Sequence, residues 1–171
     1  MGRRQNGQAM RIAVIGAGGV GGFFGAKLAL AGHDVTFVAR GAHLDAIRRN
    51  GLTVEHESGP LRVTNAKATD DPASIGPVDV ALSCVKLWDV EPTAPTLAPL
   101  VAGGGIVIPL QNGIDAPEIL KRILGRDHVA GGIAYVAARI ASPGVVKVLG
   151  AMGRMRVGSF FGIGEGRINA F

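Results

Sequence analysis

Apolar runs alternate with stretches of helical period along most of the chain, the pattern of a parallel sheet covered by helices on both faces. Residues 11–15 (RIAVI) predict a first strand, followed by a glycine-rich turn and a helix over 19–31 on which Val20, Phe23, Phe24 and Leu28 share one face. Gly32-His33 closes that helix, and residues 34–40 (DVTFVAR) predict the second strand. Residues 42–50 form a short helix ended by Gly51, while 52–57 and 61–66 flank Ser58-Gly59-Pro60 as a hairpin. Residues 78–85 (VDVALSCV) read as a buried strand and 105–110 (GIVIPL) as the next strand. Between them, 89–101 carries three prolines and predicts a poorer helix. Asp115 and Glu118 are spaced as a capping box, ahead of a helix in which Ile119, Leu120, Ile123 and Leu124 share a face up to Gly125.

After Val129 the grammar changes. Residues 129–140, 145–149 and 155–160 are strand-like and separated by turns such as Ser142-Pro143-Gly144, which reads as antiparallel edge material. The expected fold class is α/β: a Rossmann-type, mostly parallel sheet with helices on both faces and antiparallel strands near the C-terminus. Four glycines within 158–166 look like a link, which divides the chain into a disordered leader (1–9), a dinucleotide-binding domain (10–166) and the start of a linker or helix (167–171). An export signal is the alternative for the N-terminus, built from Arg3-Arg4, the apolar stretch 12–26 and Ala29-Leu30-Ala31. Arg11 and six glycines within 16–25 argue against it. No other stretch approaches the ~20 apolar residues of a membrane span. The expectation is a cytoplasmic protein with no membrane partner.

Composition narrows this further. With 47% hydrophobic and 18% charged residues among 171, the chain can close one sizeable core. Its 27 glycines follow no three-residue period, so a collagen-like chain is excluded. The formal net charge is +5, but the basic residues are scattered and few aromatics are available for stacking, which argues against nucleic acid as a partner. Cys84 is the single cysteine, so no internal disulfide can form; within an apolar strand it reads as core. Trp88 either pads a cleft or buries a helix start. His33, His43, His56 and His128 have no metal-ligand spacing and are expected at turns or on the surface.

Gly16-Ala17-Gly18-Gly19-Val20-Gly21 is G-x-G-x-x-G between a predicted strand and a predicted helix, the context of a dinucleotide fingerprint. Gly16 suits the tight turn, Gly18 lets a pyrophosphate approach the backbone, and Gly21 lets the helix pack closely on the strand. The anion would sit on free amides at the helix start. A tight turn without ligand is the alternative. At the end of the second strand, where NAD-preferring domains place an acid, stands Arg40. A guanidinium suits the 2′-phosphate of NADP through paired hydrogen bonds, so NADPH is the expected cofactor. The alternative is a solvated arginine at a strand end.

Together RIAVIGAGGVGG, the strand-end VAR, CVKLWD, LQNG and the late A-R-x-x-S-P-G-V-V segment resemble the 2-dehydropantoate 2-reductase (ketopantoate reductase) family, from Met10 to the end. The resemblance implies reduction of a 2-oxo acid with NADPH to form pantoate, on the route to pantothenate and coenzyme A, by a Rossmann domain followed by an all-helical domain. It places the family's NADP-binding arginine on Arg40, the lysine after the fourth strand on Lys86 and the asparagine before glycine on Asn112. A backbone contact to the cofactor falls near Ala137. Lys86, leaving a buried strand, could meet a phosphate, with a solvated loop lysine as the alternative. Asn112 could hold the nicotinamide ribose and substrate together, or serve the turn in Asn112-Gly113. The family's proton-donating lysine and substrate-binding serine and glutamate belong to the helical domain, and none is assigned here. The face that such a domain would cover is expected to promote self-association. Two other readings remain: a reductase of another 2-oxo acid, and a non-catalytic module that senses NADP or binds a partner.

Overall fold

The computed structural model describes residues 9–161 together with Ile168 and Phe171. Residues 1–8 of the expected leader (1–9) and residues 162–167, 169 and 170 near the expected link lie outside the described residues. In chain order the elements are β1 (Arg11–Ile15), α1 (Gly19–Leu30), β2 (Asp34–Val38), α2 (Gly41–Asn50), β3 (Leu52–Glu55), β4 (Leu61–Val63), β5 (Lys67–Thr69), β6 (Val80–Ser83), α3 (Leu87–Val101), β7 (Ile106–Pro109), α4 (Asp115–Leu124), β8 (Gly131–Ser142) and β9 (Val145–Gly158).

Five strands form a parallel sheet in the order β5-β2-β1-β6-β7. Its central strands are apolar on both sides because both faces are covered. Ile12, Val14, Leu82, Ile106 and Ile108 enter one core cluster, while Ala13, Ile15, Ala81 and Val107 enter the other. The second cluster is completed by α3 and α4. The three prolines do not break α3: Pro92, Pro95 and Pro99 all lie on its exposed side, while Val90, Ala94, Leu97 and Leu100 are buried. Carbonyls left without a helical donor on that side can turn to water, and the buried stripe holds the helix. The capping box at α4 does not form. The N-cap residue is Ile114, without a side-chain cap, so Asp115 is already helical and Glu118 pairs instead with Lys121.

The opposite face is built differently. Here α1 lies between the parallel sheet and a second, mixed sheet of order β4-β3-β9-β8. The late strands are therefore not the edge of the main sheet. The chain pairs with that edge at an isolated bridge between Val107 and Val129, where the Ala130 N–H donates to the Val107 carbonyl at 3.0 Å, and then leaves for the second sheet. There β8 and β9 run antiparallel, β9 runs parallel to β3, and the hairpin β3–β4 completes the layer. The two late strands expected at 145–149 and 155–160 are one strand. Ala137 faces Leu149 and Tyr135 faces Arg154, so the intervening residues bulge out of β9, with Gly150 at φ +76.

Helix α1 can serve two sheets because its glycines remove side chains on both sides. A Cβ on Gly21 would collide with the Gly16 carbonyl, and one on Gly25 with the Phe37 ring. On the other side, a Cβ on Gly19 would collide with the Ala138 carbonyl, and one on Gly22 would stand 2.7 Å from Val146. This accounts for a helix whose residues 21–26 are buried in an unbroken run, wider than the single face the sequence predicts.

Candidate functional site

The strand order reverses between β1 and β6: the connection from β1 leads outward to β2, and that from β6 leads outward to β7 on the other side. Ligands of open α/β sheets bind outside the carboxyl ends of strands at such a point. A cavity of about 650 Å³ lies there, with Gly16, Ala17 and Gly18 after β1, Arg40 after β2 and Lys86 after β6 in its wall. The glycine turn is held by the Val38 carbonyl, which accepts the N–H groups of Gly16 (3.1 Å) and Ala17 (2.9 Å). Gly16 adopts φ +96, and a Cβ there would also press on the Cys84–Val85 backbone at 3.1 Å. Gly18 is different: a Cβ there meets nothing within 4 Å. The turn thus presents open backbone, followed directly by the first amides of α1, which have no helical partner.

The cavity is framed by charge. Arg40 and Lys86 are the N-cap residues of α2 and α3, both exposed and with extended backbone. Among the described residues neither side chain is in an ion pair. Of the two acids in the wall, Asp70 is paired with Arg48 at 3.4 Å, and Asp89 lies in the first turn of α3. Pro92, Thr93 and Thr96 extend the wall along α3, and Ile140 reaches it from β8. The sequence reading missed these residues, because contact between α3, β8 and the glycine turn is set by tertiary packing.

The structure does not gather every expected residue. Gly19, Val20 and Gly21 form the first turn of α1, and Gly19 and Gly21 serve close packing. Asn112 is exposed in the loop after β7 and does not line the cavity. The left-handed conformation in its dipeptide falls on Gly113 (φ +87), so the turn makes no such demand on Asn112. Beside it, Gln111 ties this loop to the β6 loop. Its amide nitrogen lies 3.0 Å from the Ser83 carbonyl, 3.2 Å from the Ser83 hydroxyl and 2.9 Å from the Val85 carbonyl. The Gln111 Oε1 is buried without a hydrogen-bond partner among the described residues. Ala137 is exposed on β8, facing away from α1, while its neighbour Ala138 packs inward.

Trp88 neither pads the cleft nor buries a helix start; it is 75% exposed. Cys84 lines the cavity, and desolvation by burial pushes its thiol up to about 12 from 9.0, which favours the protonated form. His43 contradicts the expectation of a turn or surface position. It sits in α2, half-buried, with both ring nitrogens engaged: Nε2 lies 2.8 Å from the Ala17 carbonyl oxygen and Nδ1 lies 3.0 Å from the Gly144 nitrogen. Histidine spacing could not reveal this, because both partners are backbone groups and one is 101 residues away.

Residues 12–162 match the family described as ketopantoate reductase PanE/ApbA. The chain is 35% identical over 144 residues to a 2-dehydropantoate 2-reductase of Archaeoglobus fulgidus, covering 84% of this chain and 45% of that protein. It is 31% identical over 136 residues to one of Nostoc sp., covering 80% and 42%. The crystal structure of the 2-dehydropantoate 2-reductase from Geobacter metallireducens superposes with a TM-score of 0.86 at 36% identity, over 93% of this chain and 52% of that one. The chain therefore spans about half the length of the relatives it matches.

Proposed function

The chain belongs to the ketopantoate reductase PanE/ApbA family, and from that premise we propose that it is the NADPH-binding domain of an oxidoreductase that reduces 2-dehydropantoate (ketopantoate) to pantoate. The observation that carries this reading is one cavity at the strand-order reversal where open glycine backbone meets two cations that form no ion pair among the described residues. The residues fit a dinucleotide: the unfilled space at Gly18 leaves room for a pyrophosphate against the start of α1. The names of the Archaeoglobus and Nostoc relatives support the substrate.

In this reading Gly16, Ala17 and Gly18 hold the pyrophosphate. Arg40, with its planar fork of donors, takes the 2′-phosphate, and Lys86, across β1 from it, adds a mobile positive charge for a phosphate. Asn112 and the backbone near Ala137, which lie outside the cavity wall, are assigned to the nicotinamide half. Gln111 keeps the β6 and β7 loops at a fixed separation, which sets Asn112 relative to Lys86. When bound, the nicotinamide ring supplies the hydride. The ketone oxygen also needs a proton, which we assign to no residue of this chain.

The test is titration of the chain with NADPH and NADH, with and without ketopantoate, followed by nicotinamide fluorescence and absorbance together. NADPH is expected to bind about tenfold or more tightly than NADH, since charge-assisted hydrogen bonds to a phosphate are about twice as strong as neutral ones. Arg40→Ala should remove most of that difference; equal losses for both cofactors would reject the role of Arg40. Gly18→Val should abolish binding of both while leaving the melting temperature nearly unchanged, because the new side chain enters open space.

A further inference from the structure

His43 stands on α2 three residues past Arg40 and lines the same cavity. A carbonyl oxygen can only accept a hydrogen bond and a backbone N–H can only donate one. Because Nε2 faces the Ala17 carbonyl and Nδ1 faces the Gly144 N–H, the ring is neutral and carries its proton on Nε2. Two backbone groups from different parts of the fold dictate that tautomer.

The consequence falls on one peptide plane. In a trans peptide the C=O and the following N–H point in opposite directions. Holding the Ala17 carbonyl toward His43 therefore turns the Gly18 N–H the other way. The N–H groups of Gly16 and Ala17 are already committed to Val38. The bond to His43 is what orients the next plane, at the position where the backbone is open. The other nitrogen extends the connection to the turn between β8 and β9, since Gly144 also accepts the Thr53 N–H of β3 at 3.0 Å.

We propose that His43 is a positioning residue for the dinucleotide: it sets the Ala17–Gly18 peptide so that the Gly18 N–H is held for the pyrophosphate, and it anchors that setting to the mixed sheet through Gly144. This rests on the cofactor reading above. A side chain that only filled space would affect stability without distinguishing one part of the ligand from another. A positioning residue acts on the pyrophosphate alone.

The experiment compares the 171-residue chain with His43→Gln and His43→Asn, using NADPH and 2′-AMP as probes. 2′-AMP carries the adenosine and 2′-phosphate but no pyrophosphate. Glutamine places an N–H and a carbonyl at nearly the spacing of the two ring nitrogens and should keep NADPH affinity close to wild type. Asparagine can still accept from Gly144 but falls short of Ala17. It should weaken NADPH about tenfold, the size of one lost hydrogen bond, with 2′-AMP unaffected. An asparagine variant that binds NADPH as well as wild type overturns the proposal. So does an equal loss of 2′-AMP, or a glutamine variant as weak as asparagine. If the asparagine variant does not fold, the wild-type chain still decides through the ring ¹⁵N shifts of His43: a neutral Nε2–H ring that responds to NADPH together with the Gly18 amide supports it. An Nδ1–H ring, or one indifferent to NADPH, refutes it. A wild-type chain that binds neither probe removes the cofactor reading and this inference with it, whereas binding of both with a flat variant series removes only the role of His43.

Discussion

Strand β6 of the parallel sheet buries all four of its residues, whereas the twelve residues of β8 in the mixed sheet alternate between half-buried and exposed or lie wholly exposed. The difference follows from what covers each sheet. The parallel sheet has core clusters on both faces. The mixed sheet packs on α1 with one face and turns the other outward, showing Ile133, Tyr135 and Leu149 among Arg139, Lys147, Arg154 and Arg156. A sheet clamped from both sides holds the loops at its carboxyl ends in fixed positions, and those loops supply the glycine turn, Arg40 and Lys86. The mixed sheet contributes Ile140 and, through Gly144, the bond to His43. Placement comes from the rigid layer, and support from the layer that is free on one side.

Matched substitutions in the two layers should differ in cost. Leu82 in β6 and Leu52 in β3 are both fully buried. Leu82→Ala should cost about 4–5 kcal/mol and Leu52→Ala about 2–3 kcal/mol in urea denaturation, because a cavity in a clamped sheet collapses less. Equal costs would mean that both layers are equally rigid. A smaller effect is expected at the glycines of α1. Gly21→Ala pushes against the Gly16 carbonyl within the clamped layer and should destabilise by about 1–3 kcal/mol. Gly19→Ala pushes against Ala138 of the mixed sheet, which can back away, so its melting temperature should fall less. The reverse order would place the rigidity in the mixed sheet. Smallest of all, Tyr135→Thr and Leu149→Thr on the outward face should change stability by no more than about 0.5 kcal/mol. A larger loss would show that this face is packed in solution.

Much of the parallel sheet can be read from local sequence. Continuous apolar runs at 11–15, 78–85 and 105–110 announce strands buried on both faces, and Gly16 and Gly51 fall where positive φ is needed. The strand β5 escaped because three residues (Lys67, Ala68 and Thr69) are too few to show a period; only its pairing with β2 makes it a strand. The break seen at 150–154 was a bulge, since a sequence shows the interruption of alternation but not whether the ladder resumes with the same partner. At the candidate site, Arg40 and Lys86 do share a cavity with the glycine turn, whereas Asn112 stands outside it.

What the order of residues settles alone is local: which segments are strands or helices, which side chains avoid water, and where the backbone must turn through glycine. These depend on neighbours a few positions away, where period and steric limits act. The choice of sheet for β3, β4, β8 and β9, the burial of α1 on two sides and the capture of His43 by Ala17 and Gly144 belong to the folded chain. Alternation says that a residue faces a core but not which core, and hydrogen-bond partners separated by 101 residues leave no periodic trace.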